Sequence, residues 1–244
     1  MKARKHRRLA LLLGVLCAAC MLCAAYVTDV YPADAVAVAA FEPARTDMPY
    51  ARREVRPGVI AFEPEHVRAG LVFYPGGKVA YDAYEPLMEA CAARGILCVL
   101  MRMPLNLAVL DMNAADEALA LFPQVESWYA GGHSLGGAMA AAYAQKHPAE
   151  LEGLVLLGAY STADLSDAPL RVLSVYGSED GVMNREKYAA CRSSLPQDTE
   201  EIILDGGCHA YFGLYGEQDG DGRAAITPQE QIDRTAAAVA DFVR

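Results

Sequence analysis

Residues 129–142 read Tyr-Ala-Gly-Gly-His-Ser-Leu-Gly-Gly-Ala-Met-Ala-Ala-Ala, and this stretch decides the fold of the chain. It places Ser134 at the centre of Gly132-His133-Ser134-Leu135-Gly136, a G-x-S-x-G pentapeptide. The stretch Val125 to Ala130 before it predicts a strand, and Gly136 to His147 after it predicts a helix. A serine at such a junction sits on a strained turn that lifts its Oγ above the edge of a sheet. Glycines flank it because a Cβ there would collide with the neighbouring strand or helix. The first helical turns are built of Gly136, Gly137, Ala138 and Ala140 to Ala142, small enough for close approach to a sheet. The start of that helix also offers the N–H of Leu135 to a developing oxyanion.

A serine hydroxyl is a weak nucleophile without a base, so a histidine and a carboxylate must follow it. Only His147 and His209 lie beyond Ser134. His147 ends the helix that begins at the serine, roughly 20 Å away, and reads as a surface residue. His209 stands in Asp205-Gly206-Gly207-Cys208-His209, a loop directly after a strand, and is the expected base. The loop Gly177-Ser178-Glu179-Asp180-Gly181 follows the strand before that one and holds two acids in range, Glu179 and Asp180. Asp180 is the expected partner, with Asp205 and Asp167 as weaker rivals. A second oxyanion donor is expected in Pro75-Gly76-Gly77-Lys78, after the strand Leu71 to Tyr74. The N–H of Gly77 is favoured there, with Lys78 next; Gly76 and Lys78 are candidate substrate contacts.

The same alternation runs through the body. Strands are expected over Val59 to Phe62, Ile96 to Met101, Leu151 to Leu157, Arg171 to Tyr176 and Glu201 to Leu204. Helices are expected over Tyr81 to Arg94, Asn113 to Leu121, Arg185 to Leu195 and Pro228 to Arg244, the last capped by Thr227 with Glu230 three residues on. The short run Ala35 to Phe41 reads as a further, first strand. Strands alternating with helices at these lengths make an α/β fold, a mostly parallel sheet with helices on both faces.

The N-terminus has a different character. Residues 1–8 carry five basic side chains, and Leu9 to Val27 follow as nineteen residues without a charge. That length just suffices for a transmembrane signal-anchor, with the basic leader on the cytoplasmic side and the body outside. Cleavage near Ala24 and Ala25 would instead make it a signal peptide and release the body. Residues 28–56 read as a stalk with irregular strands, and 57–244 as the catalytic domain. Without the five leader cations, 16 Lys and Arg face 31 Asp and Glu, which disfavours nucleic acid as a partner. Cys91, Cys98, Cys191 and Cys208 match no zinc or redox spacing and permit, without specifying, a disulfide.

The segments LVFYPGG (71–77), YAGGHSLGGAMAAAYA (129–144), LSVYGSEDGVMN (173–184) and ILDGGCHAYFG (203–213) together resemble the α/β-hydrolase superfamily. The likeness is to its compact dienelactone-hydrolase-like members, single-domain bacterial esterases. It covers about Gly70 to Arg244 and implies a nucleophile, acid and base at Ser134, Asp180 and His209. It implies cleavage of a small or medium carboxylic ester through an acyl-enzyme, without metal or organic cofactor. Acyltransferase, thioesterase and amidase reactions on the same residues are alternatives, as is a non-catalytic envelope binding or scaffold protein. Pro75 stands where many lipases have histidine. Only about a dozen residues separate the strands ending near Leu157 and beginning at Arg171, so no large lid is expected.

Overall fold

The computed structural model describes residues 2–44 and 48–243, with the side chains of residues 2–11 and 27 outside that description. The chain divides into two compact units, Met1–Val30 and Tyr31–Arg244. In the first, Lys2–Thr28 form one helix, α1, on which Leu12, Leu13, Val15, Leu16, Met21 and Leu22 are exposed. Among the described residues no helix is long and apolar enough to cross a membrane. The span read over residues 9–27 falls partly outside the described side chains, at residues 9–11 and 27.

The second unit is built on an eight-stranded sheet. Its strands are β1 (Tyr50–Arg56), β2 (Val59–Pro64), β3 (Ala69–Tyr74), β4 (Ile96–Met101), β5 (Trp128–His133), β6 (Gly153–Leu157), β7 (Arg171–Gly177) and β8 (Thr199–Leu204), in the order β1-β2-β4-β3-β5-β6-β7-β8. The pairs β1–β2 and β2–β4 are antiparallel, and every other neighbouring pair is parallel. Side-chain alternation divides the core into two layers. On one face Leu71, Phe73, Cys98, Leu100 and Tyr129 pack with Leu87, Met88, Ile232, Val239 and Phe242. On the other, Val72, Tyr74, Leu97, Val99 and Ala130 pack with Ala140, Ala141, Tyr143 and Ala144. Helices therefore cover both faces, as a parallel sheet requires.

These helices are α3 (Glu85–Ala92), α4 (Ala114–Leu121), α5 (Leu135–Lys146), α6 (Arg185–Cys191) and α7 (Pro228–Phe242), preceded in the chain by the short α2 (Ala35–Ala39). Helix α2 corrects the strand expected over Ala35 to Phe41. Asp34 caps it, its Oδ1 accepting the N–H groups of Val36 at 3.1 Å and Ala37 at 3.0 Å. A local cap outweighs the weak strand preference of alternating Ala and Val. The second compact unit begins at Tyr31. Tyr31 bridges to Val79, Asp34 N–H bonds Leu214 O at 2.8 Å, and Phe41 is buried. Strand β1 is the exposed edge and is charged. Arg52 pairs with Glu85 at 2.6 Å, Arg53 with Glu63, and Arg56 with Glu117 at 2.9 Å. Charge on an edge strand discourages pairing with another chain.

Strand β5 lies three residues closer to the serine than the stretch Val125 to Ala130 suggested. A turn, Val125 N–H to Phe122 O at 3.1 Å, occupies the start of that stretch. Helix α6 stops at Cys191 and tightens into a 3₁₀ turn over Arg192–Ser194. In α7 Thr227 Oγ1 accepts the Glu230 N–H at 3.2 Å, while the Glu230 carboxylate turns to Arg234 instead of completing the capping box. The connection between β6 and β7 contains no helix among the described residues, in keeping with the absence of a large lid. Cys91, Cys98, Cys191 and Cys208 are free thiols.

Candidate active site

Ser134 joins β5 to α5 with φ 52° and ψ −121°, a left-handed conformation that a side-chain-bearing residue adopts only under constraint. The surrounding glycines supply the constraint. A Cβ on Gly136 would lie 2.0 Å from Tyr74 O, and one on Gly132 2.5 Å from the Gly136 carbonyl carbon. One on Gly137 would lie 2.6 Å from the Ala159 Cβ. Strand β3, strand β5 and helix α5 thus meet closer than any other residue type allows. The Ser134 N–H bonds Leu157 O at 2.9 Å, fixing the turn to β6. Ser134 is half-buried and faces a cavity of about 330 Å³.

His209 follows β8 and Asp180 follows β7, so the parallel pairing of those strands brings both to the sheet edge that carries Ser134. His209 Nδ1 lies 2.8 Å from Asp180 Oδ2, both side chains almost wholly buried. Asp180 Oδ1 accepts the N–H groups of Val182 at 3.0 Å and Met183 at 2.8 Å. The carboxylate is therefore held at both oxygens. Gly158 makes room for the pair: at φ +52°, a Cβ there would sit 3.0 Å from His209 Nδ1 and 3.2 Å from Asp180 Oδ2. The rival acids stand apart, with Glu179, Asp205 and Asp167 exposed. His147 lies at the far end of α5, stacked on Tyr143.

His209 Nε2 is buried and makes no hydrogen bond among the described residues. His209 and Ser134 line the same cavity, with Leu135, Ala138, Met139, Tyr160, Val182 and Met183 among its other walls. An imidazole presented this way can take a proton from a hydroxyl that closes on it, a contact that free sites often leave open. Among the described residues no Lys, Arg, Asp or Glu lines this cavity, whose walls are largely apolar.

The oxyanion candidates separate clearly. The N–H groups of Leu135 and Gly77 make no hydrogen bond among the described residues, and a Cβ on Gly77 would lie 3.3 Å from the Leu135 Cβ. The two donors are therefore neighbours. The Lys78 N–H is committed to Asn106 O at 2.8 Å, and the Gly76 N–H to the Tyr84 hydroxyl at 3.1 Å. Leu135 lines the cavity, and Gly76, Gly77 and Lys78 do not.

Two features escaped sequence reasoning. The first is a buried network in which the Tyr84 hydroxyl also meets His133 Nδ1 at 2.8 Å. Burial, then the adjacent His209, hold the His133 imidazole well below the usual histidine range, outweighing a backbone contact with His209 that raises it. The ring is therefore neutral. The second is Asp221, whose carboxylate bonds the main chain of both the Asp180 and the His209 loops. A buried histidine preceding the serine was visible in the pentapeptide, but its partner Tyr84 arrives from a separate turn. Asp221 lies in a polar loop with no periodic signal at all.

Comparison with known proteins bears on the family and the fold. A family model described as "Alpha/beta hydrolase family" matches residues 70–233. Among solved structures, a predicted CIB-like hydrolase from Thermoplasma acidophilum superposes with a TM-score of 0.54 at 15% identity, covering 80% of this chain and 99% of that one. At that identity it speaks for the fold alone. No curated protein matches. With the family model spanning well over half the sequence, and with the sheet order and the serine turn in place, the chain belongs to the alpha/beta hydrolase family.

Proposed function

We propose that the protein is a serine hydrolase that cleaves small or medium carboxylic esters through an acyl-enzyme. The observation that carries this reading is the convergence of Ser134 and the buried His209–Asp180 pair on one apolar cavity. In this mechanism His209 Nε2 takes the Ser134 proton as Oγ attacks the ester carbonyl. Asp180 keeps the imidazole oriented and stabilises the imidazolium. The Leu135 and Gly77 N–H groups receive the oxyanion. His209 then returns the proton to the leaving alcohol, and water releases the acyl group by the same steps in reverse roles.

The test is turnover of nitrophenyl esters from acetyl to long acyl by residues 28–244 and by the full chain. Ser134→Ala should abolish it, and a fluorophosphonate should label the wild type and not the variant. Undiminished turnover in Ser134→Ala would overturn the assignment. Labelling at Ser134 without ester turnover would favour the thioesterase, amidase or acyltransferase reactions of the same residues.

We further propose that the sequence run of residues 9–27, part of which lies outside the described side chains, anchors the body to a membrane with residues 1–8 on the cytoplasmic side. The support is the uncharged run from Leu9 to Val27 behind five basic residues. A reporter fused after Arg244 that proves active only in the cytoplasm would reverse the orientation.

A further inference from the structure

We propose that Asp221 is a positioning residue of the site, a single carboxylate that sets the distance between the acid and base loops. This rests on the serine-hydrolase reading of Ser134, Asp180 and His209. Asp221 Oδ1 accepts the N–H of Gly181, next to Asp180, at 3.1 Å. The same oxygen accepts the N–H of His209 itself at 3.0 Å, and that of Gly222 at 2.8 Å. Asp221 Oδ2 accepts the N–H of Ala210 at 2.8 Å. One side chain thus holds the main chain on either side of the 2.8 Å contact between Asp180 and His209.

The setting is built for that role. Beyond β7 and β8 the strand ladder has ended, so the two loops need another tie to keep their separation. They are joined by main chain, Ser178 N–H to Leu204 O at 2.9 Å and Glu179 N–H to Gly207 O at 2.8 Å, by Gly206 N–H to Ser178 Oγ at 2.9 Å, and, nearest the Asp180–His209 contact, through Asp221. The loop that carries Asp221 packs without clearance on the acid loop. A Cβ on Gly222 would stand 1.9 Å from Glu179 O, and one on Gly181 2.6 Å from Gly220 O. Burial raises the Asp221 carboxyl, but the N–H groups of Ala210, Gly181, His209 and Gly222 outweigh it, leaving the group below the usual carboxylate range. It is ionised in the folded protein at neutral pH. Burial first, with the Asp221 charge among the lesser causes, pushes the Cys208 thiol and the Tyr211 and Tyr215 phenols upward, so they remain neutral. No ion pair holds the carboxylate among the described residues; its partners are main-chain N–H groups of the site and the Cys208 thiol.

The experiment compares Asp221→Ala and Asp221→Asn with the wild type in the full chain. Two readouts are taken: nitrophenyl ester kinetics, and the low-field NMR resonance of the His209 Nδ1 proton that bonds Asp180. Asp221→Ala should lose or broaden that resonance and lower kcat about 10²-fold with KM within threefold, as expected for misplaced groups. Asp221→Asn keeps one acceptor oxygen but turns an amide toward the remaining N–H, so it should fall between the two. A folded Asp221→Ala or Asp221→Asn that keeps the resonance and a kcat within threefold of wild type would overturn the proposal. So would a kcat loss that only matches the unfolded fraction, with the resonance of the folded fraction unchanged. Should the wild type prove inactive on esters, the resonance still reads the clamp, so the two failures are distinguishable.

Discussion

The hydroxyl of Tyr84 lies 2.8 Å from Nδ1 of His133, and this contact ties the loop after β3 to the residue before Ser134. The Gly76 N–H donates into the same phenol oxygen at 3.1 Å, so one hydroxyl joins the main chain of Gly76 to the His133 ring. The loop that carries Gly77 and the strand that leads into Ser134 are thereby set relative to each other by one buried side chain.

Tyr84→Phe should therefore harm both stability and turnover. It leaves the Gly76 N–H and His133 Nδ1 buried without partners, at a cost of about 1–3 kcal/mol. Urea denaturation should show that loss, and kcat should fall about tenfold through a displaced oxyanion donor. Stability within 0.5 kcal/mol of wild type, with unchanged kcat, would show that the network carries no load.

His133 gives the stability a dependence on pH. Its folded-state pKa lies well below the ordinary 6.5, so the unfolded chain binds a proton that the folded one refuses. The contribution is present above pH 6.5 and is lost as the pH falls toward the folded value. The slope for this one proton is at most about 1.4 kcal/mol per pH unit. Urea midpoints from pH 7 down to pH 5 should decline in the wild type and decline less steeply in His133→Gln. Parallel curves would refute the assignment of the slope to this residue.

Two glycines should respond very differently to alanine. At Gly136 the new Cβ would meet the carbonyl oxygens of Tyr74 at 2.0 Å and Pro75 at 2.4 Å, main-chain atoms that cannot yield. Gly136→Ala should fail to accumulate as folded protein. At Gly216 nothing lies within 4 Å, and only its φ of +82° resists a side chain, so Gly216→Ala should cost about 1 kcal/mol. Soluble yield and thermal melting separate the cases, and a well-folded Gly136→Ala would contradict the close approach of β3 and α5.

Met139 sets the acyl length in our reading, since it lines the cavity from the same helix that begins at the nucleophile. Met139→Trp should lower kcat/KM for octanoyl esters at least tenfold relative to acetyl esters. Met139→Ala should move the optimum toward longer chains. An unchanged chain-length profile in both variants would place the acyl group elsewhere.

Much of this was legible in the sequence because it was written in local signals. The run Ile96 to Met101 becomes β4 with the boundaries its unbroken apolar character indicates. Thr227 caps the last helix as its spacing indicates. Ser134 announces itself through glycines whose necessity is visible in the close contacts of β3, β5 and α5. What was hidden depends on contacts distant in sequence. Strand β1 is charged along its length and has no apolar face to read. Residues 35–39 alternate weakly and are decided by one capping carboxylate. Asp221 resembles any acid of a surface loop until the fold closes the main chain of two other loops around it.

The clamp and the last helix follow in the chain everything they brace. Gln231 of α7 holds both the N–H and the carbonyl of Cys208, at 3.0 Å and 2.8 Å, beside the base. A chain emerging from the ribosome at about 5–20 residues per second thus displays Ser134 before His209, and both before α7. Under the proposed mechanism the serine would become a nucleophile only once α7 has closed on the loop that carries His209.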